Sequence, residues 1–305
     1  MAPIQQWTVE EPYLNLHCAL GEGPYYEKET NTLRFVDIKK HRVHSVNLGE
    51  GPSSLKTLQL DGPVGVTADI EGVDPAEKIL VGLKYGLAVL DRRTGEYEYI
   101  NKTYEPHNER VRTNDGAVDP NGRFWLGSMT DFNLGDFQPE GGLHRFDGKT
   151  PQQQVLTDLT IPNSIGWSPD TKTMYFTHSS ARTIHAFDYD AAAGGRYGAP
   201  RVFYVHDGPG EPDGFRVDEE GNLWHAVYGE GRVLKISPAG QLVGEVRLPT
   251  RNITCTQFVG TELFCTTASM DPGDDGDDRA RELGGALFRV DVGVRGVDFY
   301  RFKLE

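Results

Sequence analysis

Cysteine is scarce in this chain: Cys18, Cys255 and Cys265 are the only three among 305 residues, and no Cys-x-x-Cys spacing joins any two of them. That excludes a disulfide framework and a thiolate metal knuckle, and leaves small buried hydrophobes as the role expected of all three. Basic residues are in deficit as well, 31 Lys and Arg against 45 Asp and Glu, for a formal net charge of -14. A surface for nucleic acid or an anionic membrane needs clustered Lys and Arg, so neither partner is expected. Long apolar runs are missing: the N-terminus, Met1 to Trp7, has no basic flank followed by an apolar stretch, and no later segment reaches membrane-spanning length. The expectation is a cytoplasmic protein with no obligate protein partner. No nucleophile elbow, phosphate-binding loop or His-Glu-x-x-His pattern occurs, so Ser or Cys nucleophiles and a histidine-held zinc lack support.

What the chain has is turn-forming residues, 36 Gly and 18 Pro, together with 13 Tyr and 14 Phe and many Val and Thr. No long stretch carries helical periodicity, and the class expected is all-β. No Pro/Ser-rich linker or change of composition divides the chain, which reads as one domain over 1–305. Val111 to Met129 shows the unit of construction: a polar prefix Arg112-Thr113-Asn114-Asp115, a strand ending at Val118, a turn on Asp119-Pro120-Asn121-Gly122, and the apolar run Phe124-Trp125-Leu126. Comparable units begin near Glu22, Gly65, Asn163, Asp213 and Thr254. Six units at roughly forty to fifty residues match the blade period of a β-propeller, with four antiparallel strands per blade. A β-sandwich with coincidental turns is the competing reading, and the regular spacing argues against it.

When the units are aligned on the residue before each turn, one upstream position reads Glu22, Val64, Asn114, Asn163, Asp213 and Thr254. The first strand of every blade lines the central channel, so these side chains should meet near the axis at one mouth. Four of the six offer a carboxylate or carboxamide oxygen. Hard oxygen donors suit Ca²⁺, with Mg²⁺, Mn²⁺ or Zn²⁺ also accommodated. Any one of these residues alone is more readily a turn former that bonds its own backbone than a ligand; the shared register is what favours a ligand ring. Asp119, Asp170, Asp218, Glu219 and Glu220 fall inside the hairpin turns at the far end and read as structural. The acidic run Met270 to Asp278 lacks the EF-hand spacing, and Pro272 marks a solvated loop.

The order and spacing of Gly21-Glu22-Gly23-Pro24, Arg112-Thr113-Asn114-Asp115-Gly116, Pro162-Asn163-Ser164-Ile165-Gly166-Trp167, Pro212-Asp213-Gly214-Phe215 and Gly284-Gly285-Ala286-Leu287-Phe288 resemble the SMP-30/gluconolactonase family, which includes regucalcin, over almost the whole chain. The resemblance implies a six-bladed propeller with one divalent metal at the channel mouth, held by Glu22, Asn163 and Asp213, and a substrate contacted by Arg112 and Asn114. It further implies lactone hydrolysis, with Asp213 as general base and a small lactone, such as a sugar lactone, as substrate. A calcium- or ligand-binding protein without turnover is the alternative from another class, and an enzyme of secondary metabolism using the same metal site on a more apolar lactone or ester is a third reading. Relatives close to regucalcin carry an acidic pair after the Gly-x-Met element, where this chain has Asp131-Phe132, and many read Tyr-Phe-x-Asp-Ser where it has Tyr175-Phe176-Thr177-His178-Ser179. Asp131, Phe132 and His178 therefore join the residues expected to face substrate, although His178 is equally read as a strand-end residue. Phe132 with Phe137 suggests a partly apolar pocket. Asp115 is open between orienting Arg112, joining the metal shell and supporting a turn.

Overall fold

The computed structural model describes residues 4–104 and 108–305. Its strands form six antiparallel sheets arranged as the blades of a propeller, the architecture expected from the repeat. Blade 1 comprises Gly21–Glu27, Thr32–Asp37, Arg42–Asn47 and Lys56–Gln59, and blade 2 Val64–Ala68, Lys78–Leu83, Gly86–Asp91 and Tyr97–Lys102. Blade 3 comprises Val111–Val118, Phe124–Thr130, Gly141–Phe146 and Gln153–Leu159, and blade 4 Pro162–Trp167, Thr173–His178, Thr183–Asp190 and Arg201–Val205. Blade 5 runs Glu211–Val217, Leu223–Tyr228, Arg232–Ile236 and Leu242–Arg247. Blade 6 draws only Ile253–Val259, Glu262–Thr267 and Ala286–Asp291 from the C-terminal part; its outer strand, Leu14–Asn15, comes from the N-terminus and closes the ring. Just upstream, Gln5–Thr8 adds a fifth strand to blade 5, pairing in parallel with Leu242–Arg247. Among the described residues no helix is long and apolar enough to cross a membrane.

Each blade buries both faces, so the middle strands are apolar almost without interruption rather than alternating; Phe124–Thr130 is buried at every position. The core accordingly divides into six clusters, one at each blade junction. Trp125, Ile165, Trp167 and Phe176 fill the space between blades 3 and 4, and Trp224, Val233, Phe258 and Phe288 that between blades 5 and 6. The three cysteines are free and buried in this packing. The turn acids behave as structural groups. Asp119 accepts from the backbone N–H of Asn121 and Arg123 at 2.9 Å each, and from the Trp125 indole at 3.0 Å. Asp218 repeats this on Asn222 and Trp224 at 2.8 Å each.

What positions the site is a defect shared by all six innermost strands. The register with the second strand slips between Glu22 and Tyr25, Val64 and Val66, Thr113 and Gly116, Pro162 and Ile165, Pro212 and Phe215, and Ile253 and Cys255. A bulge at this point bends the strand and re-aims its side chains, here towards the axis. The neighbouring strands crowd closely enough that Gly65 has no room for a side chain: an added Cβ would overlap the Asn114 carbonyl oxygen of the next blade. At the far end, residues 296–303 run from blade 5 to blades 2 and 3, with Val297 N–H donating to Val217 O at 2.9 Å, Phe302 N–H to Asp69 O at 2.9 Å and Lys303 N–H to Gly122 O at 2.8 Å. Phe299 on this segment stacks on Tyr25 at 4.3 Å and meets the Arg216 guanidinium at 4.7 Å.

The crowding at Gly65 gives a direct test. Gly65→Ala is expected to lower stability by about 2–3 kcal/mol, the usual cost of overpacking, whereas Gly273→Ala, where nothing lies within 4 Å of the added methyl, stays near the wild type. Urea unfolding midpoints with unchanged slopes decide it; equal midpoints for Gly65→Ala and wild type would refute the close approach.

Candidate active site

Glu22, Asn114, Asn163 and Asp213, taken from the bulges of blades 1, 3, 4 and 5, line one cavity of about 270 Å³ at the open mouth. The two apolar or hydroxyl members of the register do not join them. Val64 is core, and Thr254 donates its hydroxyl to Gly21 O of blade 1 and stands 2.9 Å from the Thr266 hydroxyl. Glu22, Asn163 and Asp213 are all buried, at 6%, 5% and 7% exposure.

Their polar atoms are poorly satisfied. Asn163 donates Nδ2 to Ser179 Oγ at 3.0 Å, yet its Oδ1 and Asp213 Oδ1 are buried with no hydrogen-bond partner. Glu22 accepts only the N–H of Gly23, at 2.9 Å. Burial, then the neighbouring Asp115, pushes the Glu22 carboxyl up to about 8. Burial, followed by Glu22 and Asp115, holds Asp213 well above the usual carboxylate range. Orphaned buried acceptors and mutually repelling carboxyls are what a cation would relieve. All the donors are oxygens, which fits a hard divalent ion. Among the described residues no three His, Cys, Asp or Glu side chains alone make a metal-holding group, so the set depends on the Asn163 carboxamide.

Asp115 faces the blade below rather than Arg112. Its Oδ2 accepts from Ser164 Oγ at 2.8 Å and its Oδ1 from Gly116 N–H at 2.7 Å, while Ser164 Oγ takes the Phe215 N–H at 2.9 Å. Three blades are joined through these two side chains. Burial raises Asp115 against the lowering pull of Arg216 and of both hydrogen bonds.

Arg112 and Asn114 line the cavity, but they are largely engaged with each other. Arg112 Nη1 donates to Asn114 Oδ1 at 2.9 Å and to Thr113 O at 2.8 Å, and Asn114 Nδ2 donates to Pro162 O at 2.9 Å. Arg112 Nε is buried and unpartnered, 3.8 Å from Asp131 Oδ1. The Phe132 ring covers the guanidinium at 4.1 Å and approaches Lys39 Nζ at 5.3 Å on the rim. Burial lowers Arg112 to about 10.

Two of the residues expected to face substrate lie outside the lining. Asp131 pairs with Lys84 at 2.9 Å and reaches the site only through Arg112. His178 Nε2 accepts the Thr160 N–H at 3.2 Å and lies 3.2 Å from Ser180 Oγ, at a strand end. The physical reason is the turn after Thr173–His178, which passes into a short 3₁₀ segment and carries Ser179, not His178, to the cavity.

Five polar lining residues escaped the sequence reading, Lys39, Ser179, Glu211, Tyr228 and Asp271, as did the apolar Leu20, Met129 and Ile161. Glu211 was accessible in principle, because it precedes Asp213 by two residues on one strand and period two places both on one face. Asp271 comes from the acidic run. The remainder of that run is tied by arginines, with Arg281 Nη1 donating to Asp271 O at 3.0 Å and Arg251 Nη1 to Asp275 O at 2.8 Å, while Asp277 caps the short helix Asp278–Glu282 through Ala280 N–H at 2.8 Å.

Comparison with known proteins places the chain in a family. The family described as SMP-30/Gluconolactonase/LRE-like region matches residues 20–269. A pentonolactonase, XacC, of Haloferax volcanii is 31% identical over 93% of this chain and 94% of its own. A 6-deoxy-6-sulfogluconolactonase of Pseudomonas putida is 31% identical over 91% of this chain and 92% of its own. The solved structure of a calcium-binding protein, regucalcin, from Agrobacterium tumefaciens superposes with a TM-score of 0.86 at 25% identity, covering 99% of this chain and 100% of that one. With the family match spanning most of its length, the chain belongs to the SMP-30/gluconolactonase family.

Proposed function

We propose that this protein is a divalent-cation-dependent lactonase that hydrolyses a small lactone, with Ca²⁺ the ion its oxygen donors suit best. The observation that carries the reading is the convergence of Glu22, Asn163 and Asp213 on one cavity with two of their acceptor oxygens buried and unpartnered. The names of two relatives, a pentonolactonase and a 6-deoxy-6-sulfogluconolactonase, support a lactone as substrate.

Glu22, Asn163 and Asp213 would hold the cation, which when bound supplies a Lewis acid for the lactone carbonyl. Asp213 also serves as general base. A water oxygen forms a bond to the carbonyl carbon as its proton passes to Asp213; the ring C–O bond then breaks, and that proton goes to the departing ring oxygen. The product is an open hydroxy acid, with no oxidant or co-substrate consumed. Arg112, one of two cationic side chains on the lining, favours the negative charge that builds on the carbonyl oxygen and later the product carboxylate. The far end of the channel is occupied by Arg216, which donates to Gln257 Oε1 at 3.0 Å and Pro24 O at 3.1 Å, so substrate enters and product leaves through the open mouth.

Asp213→Ala, confirmed folded, is expected to lose lactone opening by about a thousandfold or more, the range for removing a general base that also holds the metal. A panel of lactones assayed on chelator-stripped protein with Ca²⁺, Zn²⁺, Mn²⁺ or Mg²⁺ restored gives the readout. Undiminished turnover by metal-loaded Asp213→Ala refutes the assignment, and tight Ca²⁺ binding without opening of any lactone would instead establish a binding protein.

The raised carboxyls also fix the pH dependence of metal binding. With Glu22 pushed up to about 8, the metal-free protein at neutral pH holds a proton that a cation must displace. Apparent Ca²⁺ affinity should therefore rise with pH, by about tenfold per unit between roughly pH 6 and 8, and level off above. Calorimetric titration in buffers of differing ionisation enthalpy counts the released protons directly; an affinity independent of pH across this window would show that no ligand carboxyl holds a proton there.

A further inference from the structure

The apolar part of the lining is segregated by blade: Leu20, Met129, Phe132, Phe137 and Ile161 come from blades 1 and 3 and the connection into blade 4, whereas Ser179, Glu211, Asp213, Tyr228 and Asp271 come from blades 4 to 6. Blades 1 and 3 also supply Glu22, Lys39, Arg112 and Asn114, of which Arg112 and Asn114 are largely engaged with each other. Asn114 gives its oxygen to Arg112 and its amide to Pro162 O, and Phe132 lies flat enough on the Arg112 guanidinium to stand 4.1 Å from it. A hydroxyl pressed against this wall would lose its water without gaining a partner, at a net cost. A methylene or an aromatic ring would gain contact.

A second observation concerns the loop 131–140. Among the described residues the exposed large hydrophobics are Leu134, Phe137, Val202 and Val205, and two of the four lie on this one loop. Phe137 is 39% exposed and reaches the cavity, so apolar surface is held in water at the mouth. Phe137 is the one of these four that also lines the cavity, where it adds apolar surface beside Phe132. Lys39, the one other cation on the lining, is exposed, and among the described residues it makes no ion pair; it sits over Phe132 and helps fix that ring.

We propose that the blade 1 and 3 side of the cavity is a subsite for an apolar substituent on the lactone ring, a short alkyl or aryl group packed against Phe132 and Phe137. This rests on the lactonase reading for its ring and carbonyl, and adds which lactones are taken. The carbonyl end faces Glu22, Asn163 and Asp213, and the substituent faces the loop 131–140. At about 270 Å³ the cavity lies at the small end of ligand sites, which limits the substituent to a few carbons or one ring.

The test uses metal-loaded protein and γ-lactones differing only in the ring substituent, from methyl to butyl, beside a hydroxylated aldono-γ-lactone. The matching γ-lactams, measured by calorimetry, report binding without ring opening. The butyl lactone is expected to exceed the methyl lactone in kcat/KM by about tenfold or more, the low end of what a hydrophobic pocket gives for added methylenes. The aldonolactone should fall below both, and the butyl lactam should bind more tightly than the methyl lactam. Phe137→Ala, an exposed loop position, should bring both butyl-to-methyl ratios towards one. Ratios near one in the wild type, or an aldonolactone preferred about tenfold, would overturn the subsite while leaving the lactonase intact. No turnover of any lactone together with a retained, Phe137-dependent lactam ratio would overturn the lactonase and leave the subsite standing.

Discussion

Three carboxyl groups, those of Glu22, Asp115 and Asp213, are buried together at the hub; Asp115 raises Glu22, and both raise Asp213. A packed domain does not gather acids in this way for stability, because taking charge out of water is costly and like charges add to the cost. The nearest structural relief is Arg216, which lowers Glu22 and Asp115 from within the channel but whose own hydrogen bonds go to Gln257, Phe215 O and Pro24 O. Arg112 also lowers Glu22, so two guanidinium groups stand against three carboxyls, and Asp213 Oδ1 and Asn163 Oδ1 are left without partners. Local unfavourable arrangements of this kind persist only where the surroundings over-determine them, and they tend to mark sites of function.

The surroundings here are unusually redundant. Besides an apolar cluster at every junction, polar bonds cross all six near the axis. Arg34 donates to Thr67 Oγ1 at 2.8 Å between blades 1 and 2, Thr113 to Leu83 O at 2.8 Å between blades 2 and 3, and Asn114 to Pro162 O at 2.9 Å between blades 3 and 4. Phe215 N–H reaches Ser164 Oγ at 2.9 Å, Thr256 reaches Trp224 O at 2.8 Å, and Thr254 reaches Gly21 O, completing the circuit. The ring has no free inner edge along which one bulge can relax separately, and the N-terminal strand Leu14–Asn15 fastens the last blade to the first.

How much of this was legible in the sequence follows from how local each feature is. The hairpins could be read because Asp119 with Trp125, and Asp218 with Trp224, close their own turns through side-chain bonds within six residues. The register of Glu22, Asn114, Asn163 and Asp213 could be read because a repeat carries equivalent positions to equivalent places around an axis. The exchange of an outer strand from the N-terminus into blade 6 left no such trace, since two residues, Leu14 and Asn15, are too few to show a pattern. Nor did the cover of Phe132 on Arg112, which depends on how the loop 131–140 folds back over blade 3. Asp271 belongs to a run whose composition reads as solvated, and only its anchoring by Arg281 directs one member to the cavity. His178 and Ser179 differ by a single residue, and the direction of a strand end is set by the turn that follows.

The same side chains therefore serve two purposes at right angles. Around the ring, Asn114 and Asp115 tie blade 3 to blade 4, and Asn163 holds Ser179 within its own blade. Along the axis, Asn163 and Asp213 present what those bonds leave over: one carboxamide oxygen and one carboxylate oxygen with nothing to accept. Asn163 Nδ2 carries a second proton beyond the one given to Ser179, and its hydrogen bond lowers Asp213 against the burial and the neighbouring carboxyls that raise it. The ring thereby leaves two acceptor oxygens short of partners in the cavity, beside the unpartnered Arg112 Nε, and the proposed cation would relieve those two oxygens.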